Sequence, residues 1–294
     1  MSRRAWVLFA TMSLVWGVSY LFIKVAVEEV SVPLLVFSRT AGGAIALLPF
    51  IARRGWATAL DDVRRHWRWI LAFCALEMLG PWFLLSSAEQ KIDSSLAGLI
   101  IAGVPILAVL VGWLLGDREH IGPVRWAGLL LGLLGVGVLA VPELSGGEAF
   151  AVGQMALVVL GYSTAPRILA HKLGGVPGLT VAGASLAMAG VIYLPFALLT
   201  WPSETPSPGA LGSMAALAIV STALAFVAFF GLIAEAGPTR AMVFTYVNPA
   251  VAVIAGVLIL DEKVTAAMVL AFPLIIAGSV LATRQGRPQT PAPA

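Results

Sequence analysis

Two ionisable side chains lie inside long apolar stretches of this sequence, and both have the chemistry to bind a solute. Glu77 stands four residues before Pro81, and Arg39 lies in the apolar run at 32–52. A carboxylate in such a place can bind a cationic or amino group, or it can carry a proton that is released during transport. The planar fork of an arginine can hold a carboxylate through two hydrogen bonds.

The same two residues also allow structural interpretations, which the sequence leaves open. Glu77 could be a neutral acid that donates one hydrogen bond between helices, or the partner of Arg39 in an ion pair. At 1.5 Å per residue the two would differ in depth by about 6 Å, which an arginine side chain can reach. A charge at membrane depth costs roughly 2.5–3.5 kcal/mol on insertion scales, so each residue needs such a role.

Polar aromatic side chains and one amide occur in the same apolar runs. We predict that these residues and the two charges line a solute-binding cavity, in which Tyr246 and Asn248 could bind a zwitterion. The predicted solute-binding residues are Trp16, Tyr20, Arg39, Glu77, Tyr162, Tyr246 and Asn248. The alternative is that small polar residues in these runs serve ordinary helix packing.

Four prolines within the apolar runs predict breaks in helices. Proline has no N–H and crowds the carbonyl group four residues earlier, which for Pro81 is that of Glu77 itself. Irregular backbone at membrane depth is tolerated only against protein or a hydrated cavity. The predicted helix breaks are at Pro81, Pro105, Pro166 and Pro249.

The composition requires lipid as the solvent for most of the chain. Of 294 residues, 60% are apolar and 11% are charged, and the mean hydropathy is +0.96. That charged share is less than half of the roughly 25% typical of soluble domains. A single cysteine, Cys74, and three histidines leave no basis for a disulfide framework or a zinc site, so we expect no metal and no cofactor. The net charge of +3 follows from membrane topology, and we expect no nucleic-acid partner.

Apolar stretches long enough to cross a bilayer follow one another along the chain. A hydrocarbon core about 30 Å thick needs about 20 apolar residues as helix. We predict an all-α membrane protein with ten transmembrane helices, near residues 5–27, 32–52, 67–88, 94–115, 122–142, 149–170, 178–200, 211–234, 239–260 and 265–283. The first run is too long for an ordinary signal peptide and is expected to remain as a helix. The longest connection is 53–66, and the tail at 284–294 is predicted to be disordered and cytoplasmic.

Lysines and arginines are distributed asymmetrically between the two sides of these spans. With the N-terminus inside, fourteen fall on the inner side, and three, Lys24, Lys91 and Lys263, fall on the outer side. The inner set comprises Arg3, Arg4, Arg53, Arg54, Arg64, Arg65, Arg68, Arg118, Arg125, Arg167, Lys172, Arg240, Arg284 and Arg287. Because basic loops stay in the cytoplasm, both termini are predicted to be cytoplasmic.

An internal repeat relates the two halves of the chain. Sliding the sequence by 144 residues superimposes Pro33 on Pro177 and Pro105 on Pro249. Five spans per repeat is an odd number, so the second copy must enter the bilayer in the opposite sense. We therefore predict two inverted five-helix repeats at 1–143 and 144–283, an arrangement found in many secondary transporters.

Short motifs in both halves also point to a known family. The first half contains Trp16-Gly17, Lys24, Pro33, Arg39, Pro105, Glu119 and a glycine-rich fifth helix, and the second contains Pro177, Asn248-Pro249, Glu262 and Gly278. This pattern resembles the EamA-type repeat of the drug/metabolite transporter superfamily over nearly the whole chain. The resemblance implies a ten-helix carrier of small organic solutes, often an exporter of amino acids or related metabolites. Gly183 stands where the offset places the partner of Arg39, so any function of Arg39 is confined to one half.

Glycines of the predicted fifth span form a pattern that could be mistaken for a nucleotide site. Gly135, Gly137 and Ala140 spell G-x-G-x-x-A, but no strand precedes them and they lie in a lipid-spanning run. Together with Gly128 and Gly132 they predict a surface for close helix packing.

The predicted function is secondary transport, by alternating exposure of a midplane cavity, of small polar organic solutes such as amino acids or related metabolites. By the resemblance the protein is an exporter, placed in the cell inner (plasma) membrane as a multi-pass protein. The alternatives are a membrane-embedded lipid-modifying enzyme and a passive channel. An enzyme is disfavoured because Asp61-Asp62 is the only adjacent aspartate pair and the hydrolase and P-loop motifs are missing from the sequence. The partners are the solute and the lipid bilayer, and a homodimer is left open.

Overall fold

A computed structural model describes residues 2–53, 55–116, 122–146 and 148–283 of the chain. Within these ranges the backbone forms helices joined by turns and short connections, with no strand. The all-α prediction is confirmed for this part of the chain. Arg54, Arg118, Glu119 and the tail at 284–294 lie outside the described residues.

The helices account for most of the described chain. They are α1 (Arg3–Val27), α2 (Val32–Ala52), α3 (Trp56–Glu89), α4 (Ser94–Leu114), α5 (Pro123–Gly146), α6 (Ala149–Lys172), α7 (Gly178–Leu199), α8 (Pro208–Ala236), α9 (Asn248–Ile259) and α10 (Ala266–Ala282). Helices α1 to α8 are each long and apolar enough to cross a membrane, whereas α9 and α10 are shorter apolar helices. The 12 residues of α9 span about 18 Å, less than the bilayer core.

Helix α3 begins much earlier than the predicted third span. The connection expected at 53–66 is helical from Trp56 onward. Polar residues continue the helix beyond its apolar part, and the Arg65 guanidinium forms an i,i+4 ion pair with Asp61 at 2.8 Å. The sequence analysis placed the boundary where hydropathy changes, but a helix ends only where its backbone hydrogen bonds end.

Two helices widen into a π turn near the middle of their length. The π segments are Ala75–Leu79 in α3 and Ile219–Leu224 in α8. The 144-residue offset found in the sequence brings the start of the first segment onto the start of the second. In α3 the Gly80 N–H bonds to the carbonyl oxygen of Ala75, five residues earlier, directly before Pro81. The helix expected to break at Pro81 therefore continues through a π turn.

The other predicted proline breaks have different outcomes. Helix α4 leaves regular geometry between Ile101 and Val104, which places Pro105 in the first turn of its second part. The chain before α9 forms a short helix at 238–241 and a 3₁₀ segment, Met242–Tyr246, so Pro249 also lies in a first helical turn. Proline is favourable at these positions because the N–H it lacks would have no partner there.

At Pro166 the predicted break is wrong. Helix α6 runs without interruption from Ala149 to Lys172 with Pro166 inside it. One missing N–H and one crowded carbonyl group are compatible with a continuous helix when neighbouring helices support it. The Ser163 hydroxyl, close to this proline, donates to the carbonyl oxygen of Val159 at 2.6 Å.

Helices from the two halves of the chain pack in pairs. Helix α2 packs along α7, α5 along α10 and α4 against α9. Helix α3 packs on α6, and α1 packs on α8. Exchanging the two halves converts the α3–α6 pair into the α8–α1 pair and leaves the other three pairs unchanged.

Helices α5 and α10 approach closely because glycines leave both surfaces bare. A Cβ added at Gly278 would lie 2.5 Å from Cα of Gly132 and 2.8 Å from the carbonyl oxygen of Gly128. A Cβ added at Gly137 would meet nothing within 4 Å. The predicted packing surface thus includes Gly128 and Gly132, but Gly137 lies outside it.

The start of α4 is capped by a carboxylate from the other half of the chain. Glu262, in the connection between α9 and α10, accepts hydrogen bonds from the N–H (2.8 Å) and hydroxyl (2.7 Å) of Ser94. It also accepts from the N–H of Ser95 at 2.9 Å and from the Ser95 hydroxyl. Burial raises the pKa of Glu262, but these bonds outweigh it and hold the pKa below its usual value.

The close contact of α5 and α10 predicts a large effect of one methyl group. The Gly278→Ala variant should lose about 1–3 kcal/mol of stability through overpacking against backbone. Gly137→Ala is the matched control, and it should keep or slightly raise stability because alanine favours helix. The single cysteine, Cys74, is fully buried, so a thiol-reactive dye reports thermal unfolding of both variants in detergent. Equal unfolding midpoints for the two variants would contradict this account of the contact.

The Glu262 cap predicts a pH-dependent contribution to stability. Because the folded-state pKa is lowered, the contribution is complete above the unfolded value near 4.3 and disappears as the pH falls through the lower folded value. The Glu262→Gln variant should therefore unfold at lower temperature than the unchanged protein at pH 7, and the two should converge once the pH falls below the lowered pKa of Glu262. Asp61→Asn, which removes an exposed ion pair, is the control and should change little. If the unfolding temperature of Glu262→Gln differed from that of the unchanged protein by the same amount at every pH, an ionised Glu262 cap would be refuted.

Candidate functional site

A cavity of about 780 Å³ lies in the middle of the helix bundle and extends to one of its ends. We name this end the basic end, and it carries Arg3, Arg53, Arg125, Arg167 and Arg240. Trp113, His171 and Thr283 line the cavity there and are exposed. The cavity therefore opens to solvent at the basic end.

Toward the opposite end the cavity closes within the bundle. Its limit is formed by Ile23 of α1, Leu85 of α3 and Gly98 of α4, all of which are buried. Ile23 is 1% exposed and Leu85 is 3% exposed. Among the described residues, this layer separates the cavity from the opposite end.

Arg39 is held on the cavity wall by two neighbours that the sequence analysis did not identify. Its guanidinium carbon lies 3.7 Å from the ring centre of Trp82, and its Nε donates to the Thr222 hydroxyl at 3.0 Å. Arg39 is 6% exposed. Within the described part of the chain, its two terminal nitrogens have no hydrogen-bond acceptor, so they are available to an anionic group in the cavity.

Glu77 lies in the π segment of α3 and lines the same cavity. The ion pair considered between Arg39 and Glu77 is not formed among the described residues. The Arg39 guanidinium stacks on Trp82, and its Nε is used by Thr222. The cavity therefore holds an acid and a base that do not neutralise each other directly, an arrangement that can bind the two ends of a zwitterion.

Trp16 belongs to an aromatic wall on the side of α8. Its ring lies within 6.2 Å of the ring centres of Phe226, Phe229 and Phe244. Its indole N–H donates to the carbonyl oxygen of Ser221, in the π segment of α8, at 3.2 Å. A buried indole N–H requires such a partner, and the π turn supplies it.

Two tyrosines lie close to the charged pair. Tyr162 of α6 lines the cavity within electrostatic reach of Glu77 and Arg39. Tyr20 of α1 also lines it and interacts with Arg39. All seven predicted solute-binding residues line this one cavity, and these two tyrosines are the ones that interact with its charged pair.

Tyr246 and Asn248 line the cavity, but their polar groups already have partners. The Tyr246 hydroxyl bonds with the Thr283 hydroxyl at 2.7 Å, near the basic end. With its amide oriented to suit the hydrogen-bond network, the Asn248 nitrogen donates to the carbonyl oxygens of Phe244 and Ser13, both at 3.1 Å. These contacts hold the irregular segment before α9 in place.

The predicted helix-breaking prolines also differ in their relation to the cavity. Pro105, Pro166 and Pro249 line it, whereas Pro81 is not among the lining residues. Pro81 is buried, and a Cβ at Gly161 of α6 would lie 2.9 Å from its ring. Its contribution is to the packing of α3 on α6, directly behind the π segment that carries Glu77.

Sequence analysis missed Trp82, Thr222 and Ser221, but one signal could have found the last two. Ser221 and Thr222 form a polar pair in an apolar run, and the 144-residue offset places Ser221 on Glu77. Glu89 was also missed, because it falls at the boundary of a predicted span. Within the described ranges no group of three His, Cys, Asp or Glu could hold a metal ion.

Known proteins similar to this chain are transporters by name. A family model described as the EamA-like transporter family matches residues 3–141 and 149–284. An inner membrane transporter of Escherichia coli (strain K12), YedA, is 26% identical over 275 residues, covering 92% of this chain and 87% of YedA. A transporter of Archaeoglobus fulgidus is 23% identical over 286 residues, covering 96% of this chain and 99% of that protein. All these relatives are named as uncharacterized.

A solved crystal structure has the same fold. Its TM-score is 0.67 at 24% sequence identity, with 95% of this chain and 97% of that chain covered. The eight long apolar helices and the inner-membrane relatives make the protein a multi-pass protein of the inner (plasma) membrane. Because one family model matches both halves and nearly the whole chain, the chain belongs to the EamA-like transporter family.

Proposed function

We propose that the protein is a secondary transporter that exports a small polar organic solute, such as an amino acid or a related metabolite. The observation that carries the proposal is the cavity of about 780 Å³, open at one end and lined by the separate charges Arg39 and Glu77. A pocket of this volume suits a small organic molecule. Its closed limit at Ile23, Leu85 and Gly98 favours a carrier over a passive channel, because a channel needs a continuous path.

We further propose ten membrane spans, with α9 and α10 crossing as well, and both termini in the cytoplasm. The basic end then faces the cytoplasm, in accord with the positive-inside rule. Support for two inverted repeats comes from the π segments and helix breaks, which recur at an offset of 144 residues. The helix pairs, which are unchanged when the halves are exchanged, support it too. The conformation described is then open to the inside.

In this proposal Arg39 binds the carboxylate of the solute and Glu77 binds its amino group. Both contacts are strong in a cavity that excludes bulk water, because the local dielectric is low. Trp16, Tyr20 and Tyr162 contact the rest of the solute, while Tyr246 and Asn248 hold the irregular segment before α9. The aromatic wall next to Trp16 favours a solute with an apolar part.

Transport is tested with purified protein in proteoliposomes loaded with a panel of amino acids and metabolites. We expect saturable flux of at least one zwitterion, with acceleration by unlabelled solute on the opposite side. That counterflow is the signature of a carrier whose site is exposed alternately. Flux that neither saturates nor shows counterflow would indicate a channel, and no flux across a broad panel with folded protein would refute the proposal.

For Arg39 we expect Arg39→Lys to lower the transport rate about tenfold or more, since lysine cannot form a planar two-bond contact with a carboxylate. The folded state should persist, because lysine can still contact the Trp82 ring. Arg65→Lys, in the exposed first turns of α3, is the control and should transport normally. Normal kinetics in Arg39→Lys would exclude bidentate recognition.

For Glu77 we expect Glu77→Gln to fold normally and to lower the rate about tenfold, since the neutral amide cannot form an ion pair with an ammonium group. The control is Glu204→Gln, whose glutamate is exposed in the connection between α7 and α8. Solutes without an amino group should be affected much less than zwitterions. If both solute classes kept their rates, Glu77 would have a structural role.

A further inference from the structure

A second, smaller cavity lies on the far side of the layer that closes the main one. It measures about 340 Å³ and is lined by charged residues that include Lys24, Asp93 and Glu262. On α1, Ile23 lines the main cavity and the next residue, Lys24, lines the smaller one. On the other wall, Leu85 lines the main cavity and Asp93, eight residues later, lines the smaller one. The layer between the two cavities is therefore thin, because the chain passes from the lining of one cavity to that of the other within eight residues.

Glu89 lies inside this layer, four residues from both Leu85 and Asp93. It is 0% exposed, and neither of its carboxylate oxygens has a hydrogen-bond partner among the described residues. An ionised carboxylate without partners is strongly unfavourable in such a place. A protonated carboxyl group removes most of that cost, and the geometry therefore requires a neutral group.

The charged groups around Glu89 do not supply a partner. From α1, the Lys24 ammonium donates to the backbone carbonyl oxygens of Glu89 (2.7 Å) and Ile92 (3.0 Å), not to the carboxylate. From α2, Arg39 is held by Trp82 and Thr222.

The remaining neighbours are neutral or repel a negative charge. Glu262, in the connection after α9, is held by the serines at the start of α4 and acts on Glu89 as a like charge. Tyr20 of α1 is also within electrostatic reach. Helix α6 presents the uncharged Gln154, which donates to the Ser87 hydroxyl at 2.9 Å. Asp93, which lines the smaller cavity, interacts with Glu262 and Lys24.

We propose that Glu89 binds a proton and that this proton must be bound for the layer between the two cavities to close. We call this layer the outer layer, because the proposed topology places it toward the outside of the membrane. When the layer opens toward the smaller cavity, water reaches Glu89. The carboxyl O–H bond then breaks, its electron pair stays on the carboxylate, and the proton passes to water. The freed carboxylate can then attract the Lys24 ammonium, which gives up its backbone acceptors. Closing reverses these steps and takes up one proton from the outside.

This inference rests on the proposed alternating exposure, but not on any particular solute. Its direct consequence is that low external pH favours the closed outer layer and high pH favours opening. For one linked proton the equilibrium changes by up to tenfold per pH unit. A group with a purely structural role would give no such dependence.

The test measures how readily the outer layer opens. Ile92, 2% exposed in the layer, is replaced as Ile92→Cys in a Cys74→Ala background, and a membrane-impermeant maleimide is added from outside between pH 5 and 9. Labelling is divided by that of Ser203→Cys, an exposed position in the α7–α8 connection, to remove the pH dependence of thiol reactivity. We expect this ratio to rise several-fold or more with pH when Glu89 is present.

Adding Glu89→Gln, a neutral residue of the same shape, should make the ratio low and independent of pH. Glu28→Gln, exposed at the smaller cavity, is the matched control and should keep the pH dependence. A flat ratio with Glu89 present, or an unchanged dependence in Glu89→Gln, would overturn the proposal. The pH dependence measured with Glu89 present does not require the Glu89→Gln variant to fold. The assay contains no solute, so a failed transport experiment leaves it valid, and a failed labelling test leaves the solute-transport proposal standing.

Discussion

Every backbone polar group inside a bilayer must find its partner within the protein, because hydrocarbon offers none. The irregular segments of this chain depend on that constraint. Carbonyl oxygens in or beside them accept hydrogen bonds from other helices. The carbonyl of Ser221 accepts from Trp16, that of Leu79 from Tyr193, and that of Ala102 from Ser279. With these donors in place, π turns and helix breaks can exist in the middle of the bundle, where the cavity is formed.

The two halves share a backbone plan but differ in chemistry. Glu77 and Ser221 occupy equivalent positions in the two π segments, yet one presents a carboxylate to the cavity and the other receives Trp16 on its carbonyl oxygen. Arg39 has Gly183 as its counterpart, where a Cβ would overlap the Ile51 side chain. Arg39 and Glu77, the charges at the centre of the cavity wall, therefore both come from the first half of the chain.

Much of the architecture could be predicted from hydropathy and the repeat. The all-helical class was predicted correctly in this way. The start of α3 could not be predicted, because the polar turns that begin at Trp56 form a helix without an apolar pattern. The continuity of α6 through Pro166 was missed because a missing N–H is compensated by packing that no local pattern contains. For the site, residue types identified Arg39 and Glu77, but not Trp82 and Thr222, which hold Arg39 in place.

By itself the sequence determined that the chain lies in lipid, which positions carry charge, and that one half repeats the other. These follow from composition and spacing, which are properties of the chain alone. Only the tertiary structure decided which charges meet. Arg39 stacks on Trp82 rather than pairing with Glu77, and among the described residues no hydrogen-bond partner reaches the carboxylate oxygens of the buried Glu89. These outcomes depend on the rotation and depth of neighbouring helices, which are set by packing between residues far apart in sequence.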